Sequence, residues 1–359
     1  MQRSLFLGLA LCAAACSTSE PTPTPDSGPT PDAGEYDAGV VDAADSDAGA
    51  RPDSGPMDAG FEDPTVIGAG ISLVNDIRTF VEVRGTKTST MPPLFVLHRG
   101  PAPAHDYLPP LLQDLVPGRL VVYYDMRGTG RSGYGNGTQS STISTRIHIE
   151  DFGKVVEFVG TNYQVDVTKI DILGHEYGGA IGFRYAALHP AQVERLVVVN
   201  PFPADIDQYA LFRGEIETRL TGNERLRYNT ILNRPECWGS MDTCFNDIWS
   251  IVGPHYLCDQ NRDLFSQIVM RYGSARTEYF YIEHDLRFSS YDWRSILPMV
   301  QAETTILTGE CDPIPAQTAD DYAAGIPNAT RMALPHSGQY PMIEAHAEFI
   351  NAVAHALRR

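Results

Sequence analysis

The chain has 359 residues, of which 43% are hydrophobic and 20% charged, and its 45 Asp and Glu against 27 Lys and Arg give a formal net charge of −18. That length and apolar content supply one large core or two modest ones, and the acidic surplus excludes the basic surface that nucleic-acid binding requires. The acidity is uneven: residues 17–63 hold 12 acidic residues against Arg51 alone, whereas residues 64–359 hold 33 acidic against 25 basic, so the foldable part is only mildly acidic.

At the N-terminus, residues 1–15 carry one basic residue (Arg3), an apolar run from Leu5 to Leu11 and then small residues. This is the pattern of a secretory signal too short to span a bilayer. Ala13-Ala14-Ala15-Cys16 resembles the lipobox of bacterial lipoproteins, although Ala13 stands where leucine is more usual. The resemblance implies an exported protein acylated at Cys16 and anchored to a membrane of the cell envelope; cleavage and release, periplasmic or secreted, is the alternative. Residues 17–63 are nearly free of aromatics and large aliphatics and repeat Asp-Ala-Gly from positions 32, 37, 47 and 58. Such a composition cannot bury enough apolar surface to offset the entropy of ordering it, so residues 16–63 are expected to form a disordered tether. Its root-mean-square reach is roughly 40 Å. Asp42, Asp45 and Asp47 hint at a calcium loop, but Pro56 falls where the closing carboxylate belongs, so no metal site is read there.

Beyond the tether, strands are predicted at 80–83, 94–97, 120–124, 170–173, 196–199, 304–307 and 330–334, and helices near 106–115, 146–163, 178–188, 317–324 and 343–357. Alternation of this kind predicts an α/β fold with a mainly parallel sheet covered by helices on both faces. Residues 202–298 break the rhythm, being rich in Arg, Asn, Tyr and Trp with helical patches. They read as an inserted helical lid between core segments 64–201 and 299–359. Trp238, Trp249 and Trp293, with Tyr279, Tyr281 and Tyr291, could line a cleft there, though large aromatics are more often core. Glu215, Glu217 and Glu224 read as a solvated helix face.

Five segments carry chemistry. Gly174-His175-Glu176-Tyr177-Gly178 follows a strand and precedes a helix, the context of a nucleophile elbow. Pro92 to Pro101 ends in His98-Arg99-Gly100-Pro101 and is followed by His105-Asp106-Tyr107-Leu108. Tyr124-Asp125-Met126-Arg127-Gly128-Thr129-Gly130-Arg131-Ser132 forms a turn. Its glycines, with Gly133, are spaced like a dinucleotide fingerprint, but a tight turn braced by Asp125 and Arg127 is the simpler reading, and no cofactor is expected. Gly309 to Pro313 and Ser337 to Glu344 complete the set. In order and spacing these segments resemble the α/β-hydrolase superfamily, and within it the prolyl aminopeptidase (proline iminopeptidase) branch. The resemblance spans most of residues 64–201 and 299–359 and implies the α/β-hydrolase fold, with a Ser-His-Asp site beneath a lid.

Acyl transfer on that fold needs a serine, a histidine to carry its proton, an acid to orient the histidine and two backbone N–H groups for the oxyanion. Here Glu176 stands at the nucleophile position and Gln339 at the histidine position, while Arg99 and Tyr177 occupy the oxyanion-loop positions; Asp312, at the acid position, alone survives. A glutamine amide cannot shuttle a proton near neutral pH, so the serine-type route is closed. The residues therefore predict a pseudoenzyme that binds a small molecule, peptide or protein partner. The alternative is an active peptidase, esterase or epoxide-type hydrolase using Glu176 with a relocated base such as His336; a further reading makes the lid a protein-interaction surface with no pocket. His175 reads as structural. Arg99 and Glu176 are expected to pair across the pocket, and Gln339 to bond Asp312. Cys237, Cys244, Cys258 and Cys311 permit three disulfide pairings, with Cys237–Cys244 the local choice and Cys258–Cys311 the remainder. Oligomeric state is left open by the sequence.

Overall fold

The computed structural model describes residues 65–100, 103–133, 144–235, 241–268, 286 and 291–358. The signal, Cys16, the tether with its Asp42, Asp45 and Asp47, and Cys237, Trp238, Tyr279 and Tyr281 lie outside the described residues. Eight strands form one sheet in the order β1-β2-β4-β3-β5-β6-β7-β8. They are β1 (Val66–Val74), β2 (Ile77–Gly85), β3 (Leu94–Leu97), β4 (Leu120–Tyr124), β5 (Ile170–His175), β6 (Val193–Val199), β7 (Glu303–Gly309) and β8 (Ala329–Leu334). Strands β3 to β8 run parallel, and β2 is antiparallel to both β1 and β4.

Strands buried on both faces must be apolar throughout, and β3, β4 and β5 are fully buried. Their side chains alternate between two cores. Phe95, Leu97 and Ile172 meet Phe152 and Ile181 on one side, while Leu94, Val96 and Leu173 meet Leu108, Leu112, Phe349 and Val353 on the other. The first core is covered by α1 (Thr145–Tyr163), α2 (Tyr177–Leu188) and α6 (Ala316–Gly325), and the second by α8 (His346–Ala356) with short 3₁₀ turns. Between β6 and β7 the chain leaves the sheet through α3 (Ile206–Arg219), α4 (Gly222–Leu232), α5 (Met241–Val252) and the 3₁₀ turns Gly253–Tyr256 and Asp259–Gln267.

Three expectations are corrected. The helix near 106–115 is a string of 3₁₀ turns, His105–Tyr107, Pro109–Leu111 and Gln113–Leu115; the adjacent Pro109 and Pro110 lack the N–H groups that an α-helix would use there. The helix near 343–357 is two, α7 (Pro341–Glu344) and α8, broken at Ala345 with φ −139° and ψ 54°. Strand β1 was not predicted. It joins β2 through Asn75 and Asp76, both at positive φ (49° and 60°), a two-residue hairpin that pairs Val74 with Ile77.

Candidate functional site

Strand β5 ends at His175, and α2 begins at Tyr177, so Glu176 alone makes the turn, with φ 51° and ψ −111°. A non-glycine residue rarely adopts this backbone, and the neighbours impose it. Glu176 N–H donates to Val199 on β6 at 2.8 Å, and its C=O accepts from Ala180 at 3.1 Å. A Cβ on Gly178 would sit 2.3 Å from the Leu97 carbonyl oxygen, and one on Gly174 would lie 2.5 Å from Gly179 Cα. Glycine at both positions lets the turn press against β3. The side chain of residue 176 is thereby delivered beyond the sheet's carboxyl edge, where open α/β sheets place their chemistry.

The expected pair is present. Arg99 Nε and Nη2 donate to the two Glu176 carboxylate oxygens, each at 3.3 Å, and Gly100 N–H donates to Oε2 at 3.3 Å. Arg99 is 4% exposed and Glu176 1%. The remaining guanidinium edge donates from Nη1 to the Tyr340 hydroxyl. Its carbon lies 4.7 Å from the Tyr256 ring centre, 5.1 Å from Trp249 and 5.4 Å from Tyr340. Burial opposes the guanidinium charge, but the Glu176 carboxylate, with Tyr340 and Tyr256, outweighs it and holds the Arg99 pKa well above its ordinary value.

A directed hydrogen-bond chain runs beneath this pair. Arg99 N–H donates to the Tyr107 hydroxyl at 3.0 Å, and that hydroxyl lies 2.7 Å from His175 Nδ1. His175 Nε2 lies 2.8 Å from the Gln339 carbonyl oxygen, which can only accept. The proton is therefore on Nε2, and Nδ1 accepts from Tyr107. Burial first, then the Arg99 charge, push His175 down to about 3, so it stays neutral and structural. His98 is fixed in the same manner. Its Nε2 accepts from Met126 N–H at 3.0 Å while Nδ1 meets Arg99 C=O at 2.6 Å, and burial drives its pKa down to about 4.

The expected Gln339–Asp312 bond is not formed. Gln339 is held by its backbone, N–H to the Tyr256 carbonyl at 2.8 Å and C=O to His175, and both polar atoms of its fully buried side chain lack a partner. Asp312 instead accepts from Ile314 N–H at 3.0 Å. Desolvation, reinforced by the Glu176 charge, pushes the half-buried Asp312 carboxyl up to about 8. Among the described residues no imidazole bonds to Glu176 or Asp312.

The alpha/beta hydrolase fold family model matches residues 92–346. The chain belongs to that family. Within the alpha/beta hydrolases it is prolyl aminopeptidase-like. A proline iminopeptidase of Saccharolobus solfataricus is 31% identical over 150 residues, which span 41% of this chain and 43% of that relative. A putative carbamate hydrolase, RutD, of Azorhizobium caulinodans is 24% identical over 258 residues, 71% of this chain and 85% of the relative. The crystal structure of the proline iminopeptidase of Mycobacterium smegmatis superposes with a TM-score of 0.59 at 22% identity, covering 81% of this chain and 97% of that one.

The positions read from the sequence as nucleophile, acid and histidine hold Glu176, Asp312 and Gln339. The elbow carboxylate is clasped by three donors from the Arg99-Gly100 loop. The Arg99 N–H, half of the expected oxyanion pair, is spent on Tyr107, and Gly100 supplies the N–H that meets Glu176. The Tyr177 ring is buried, its hydroxyl 3.1 Å from His148 Nδ1. His336, the alternative base, is exposed, at φ 57°, with its N–H donated to Glu310 at 3.1 Å.

The turn after β4 is braced as expected. Asp125 accepts from Arg131 N–H at 2.9 Å and meets His105 Nδ1 at 2.6 Å, Arg127 pairs with Asp151 at 2.7 Å, and Gly128 and Gly130 take φ of 80° and 51°. Trp293 and Tyr291 are core. Glu215 and Glu217 are exposed, but Glu224 departs from the solvated-face reading: it closes a capping box with Thr221 and sits 3.1 Å from the buried His255. Cys258 is bonded to Cys311, joining the 3₁₀ segment after α5 to the Asp312 loop, and Cys244 is also disulfide-bonded. Beside this bridge lies a groove of about 460 Å³, lined in part by Arg219, Leu257, Arg262 and both cysteines; Arg99, Glu176, Asp312 and Gln339 are not in its lining. Among the described residues no helix is long and apolar enough to cross a membrane.

Sequence reasoning missed Tyr107, Tyr256 and Tyr340 as members of the site, and it weighed Trp249 as a cleft residue but favoured the core for it. Tyr340 follows Gln339 directly, and Tyr107 lies in the quoted His105 to Leu108 segment, so motif adjacency carried a usable signal for those two. Trp249 and Tyr256 come from the excursion between β6 and β7, where no motif fixes register.

Proposed function

We propose that this protein is an exported, lipid-anchored member of the alpha/beta hydrolase family that binds a small molecule or peptide at the modified prolyl aminopeptidase-like site without hydrolysing it. The observation that carries this reading is the Arg99–Glu176 pair. A carboxylate engaged by a guanidinium and by Gly100 N–H is a poor nucleophile, because attack would require breaking those bonds in a buried setting. Gln339 supplies no proton carrier, and among the described residues no imidazole bonds to Asp312. Export is supported by the leader-like residues 1–16 and by the Cys258–Cys311 bridge, which belongs to an oxidising compartment.

The test uses purified full-length protein with proline arylamides and short p-nitrophenyl esters. No turnover above buffer is expected; a rate that vanishes in Glu176→Ala would overturn the reading. Palmitate labelling lost in Cys16→Ser checks the anchor, and equal labelling of the two proteins would remove it.

A further inference from the structure

The Arg99 guanidinium is held in a box. Trp249 on α5, Tyr256 in the following 3₁₀ turn and Tyr340 ahead of α7 present their rings at 5.1, 4.7 and 5.4 Å from its central carbon. Glu176 closes the box with both carboxylate oxygens. Aromatic faces attract cations through their quadrupole, and three faces with one carboxylate is the composition by which proteins bind organic cations reversibly. The fork of the carboxylate selects a planar guanidinium over a spherical ammonium, because two parallel N–H donors match its two oxygens.

We propose that the pocket formed by Trp249, Tyr256, Tyr340 and Glu176 is a binding site for an alkylguanidinium group, occupied in the resting protein by Arg99 and taken over by a ligand when Arg99 withdraws. The proposal rests on the non-hydrolytic binding reading above and names its ligand class.

Two features distinguish this box from an ion pair that only holds the fold. Its contacts to the present occupant are long, 3.3 Å to each oxygen, against roughly 2.7–2.9 Å for a tight charge-assisted bond. The box is also unevenly enclosed: Trp249 and Tyr256 keep part of their surface exposed while Tyr340 is fully buried. Both partly exposed rings stand on the segment between β6 and β7. Arg99 itself stands on the loop after β3, which ends at Leu97.

An internal occupant lowers the apparent affinity of any ligand by the fraction of time the box is vacant. The decisive experiment titrates methylguanidinium, tetramethylammonium and N-acetyl-arginine amide into full-length wild type, Arg99→Ala and Glu176→Gln, followed by calorimetry and tryptophan fluorescence at concentrations far below denaturing ones. Saturable binding of methylguanidinium to wild type is expected, tightened at least about tenfold in Arg99→Ala and weakened by a similar factor in Glu176→Gln, with tetramethylammonium weaker throughout. Tighter binding of the arginine amide than of methylguanidinium identifies a peptide source; the reverse identifies a free guanidino compound.

If Arg99→Ala is too unstable to titrate, Arg99→Met retains most of the stem, and a methylguanidinium-dependent rise in its melting temperature, absent with tetramethylammonium, reports the same occupancy. Failure of either Arg99 variant to bind methylguanidinium overturns the proposal, as does binding that appears only when Arg99 is removed. Neither failure touches the non-hydrolytic reading, which is decided by the turnover assay alone.

Discussion

A single proton separates Asp312 from the role its position implies. Its carboxyl is pushed up to about 8 by desolvation and the adjacent Glu176 charge, so the folded protein keeps a proton that the unfolded chain releases above its ordinary value of 3.8. Stability must then fall as pH rises between those values, because the native state binds the extra proton. Asp312→Asn keeps the acceptor for Ile314 N–H and cannot ionise. Its melting temperature should match wild type near pH 4 and exceed it at pH 8, by the equivalent of roughly 1–3 kcal/mol; a gain independent of pH would refute the assignment. The residue identities at 99, 176, 312 and 339 were all legible in the sequence, and so was the Arg99–Glu176 contact, since opposite charges on facing loops seek each other when buried. The Gln339–Asp312 bond was not. Its failure follows from two backbone hydrogen bonds that position Gln339 before its side chain is considered, and backbone partners across a fold are invisible in a linear motif.

Among the elements, the elbow and the loop after β3 decide what the site can do. The elbow's strand, turn and helix survive with the glycines that make the turn possible, so a serine placed at 176 would occupy a nucleophile's position. Restoring Glu176→Ser and Gln339→His is nevertheless expected to give no esterase activity, because Arg99 would remain in the oxyanion region as an uncompensated buried charge. Adding Arg99→Gly should produce measurable hydrolysis of p-nitrophenyl acetate, on the order of tenfold or more above the double variant if an oxyanion donor is regained. Activity in the double variant equal to that of the triple would show that Arg99 does not obstruct. Strand positions along the core were legible because doubly buried strands are uninterrupted apolar runs. Strand β1 was not, since Gly68 and Gly70 dilute its pattern and only the Asn75-Asp76 turn marks it.

On the scale of the whole molecule, the excursion between β6 and β7 is fastened to the sheet domain at the site itself. The Cys258–Cys311 bridge ties its 3₁₀ segment to the Asp312 loop, Arg219 on α3 donates to the carbonyls of His255 and Cys311 at 3.1 and 2.9 Å, and Glu344 accepts from Cys258, Gly338 and Tyr340 N–H groups. Closing a loop of sequence separation 53 by a covalent link contributes about 2–4 kcal/mol. Cys258→Ser with Cys311→Ser should lower the melting temperature accordingly, and reductant should lower that of wild type by more than that of the double variant, which keeps the disulfide at Cys244. Of the three pairings open in the sequence, this bridge belongs to the one that the short Cys237–Cys244 spacing favoured, and spatial adjacency bears it out for Cys258 and Cys311.

The turn at Glu176 has one more implication. Its backbone is fixed by Val199, Ala180 and the closeness of Gly178 to β3, and none of these contacts involves the side chain. Position 176 therefore acts as a mounting bracket: whichever side chain is attached there is carried, root first, to the same point in front of Gly100. Exchanging that single residue alters the functional group on offer and leaves its address unchanged.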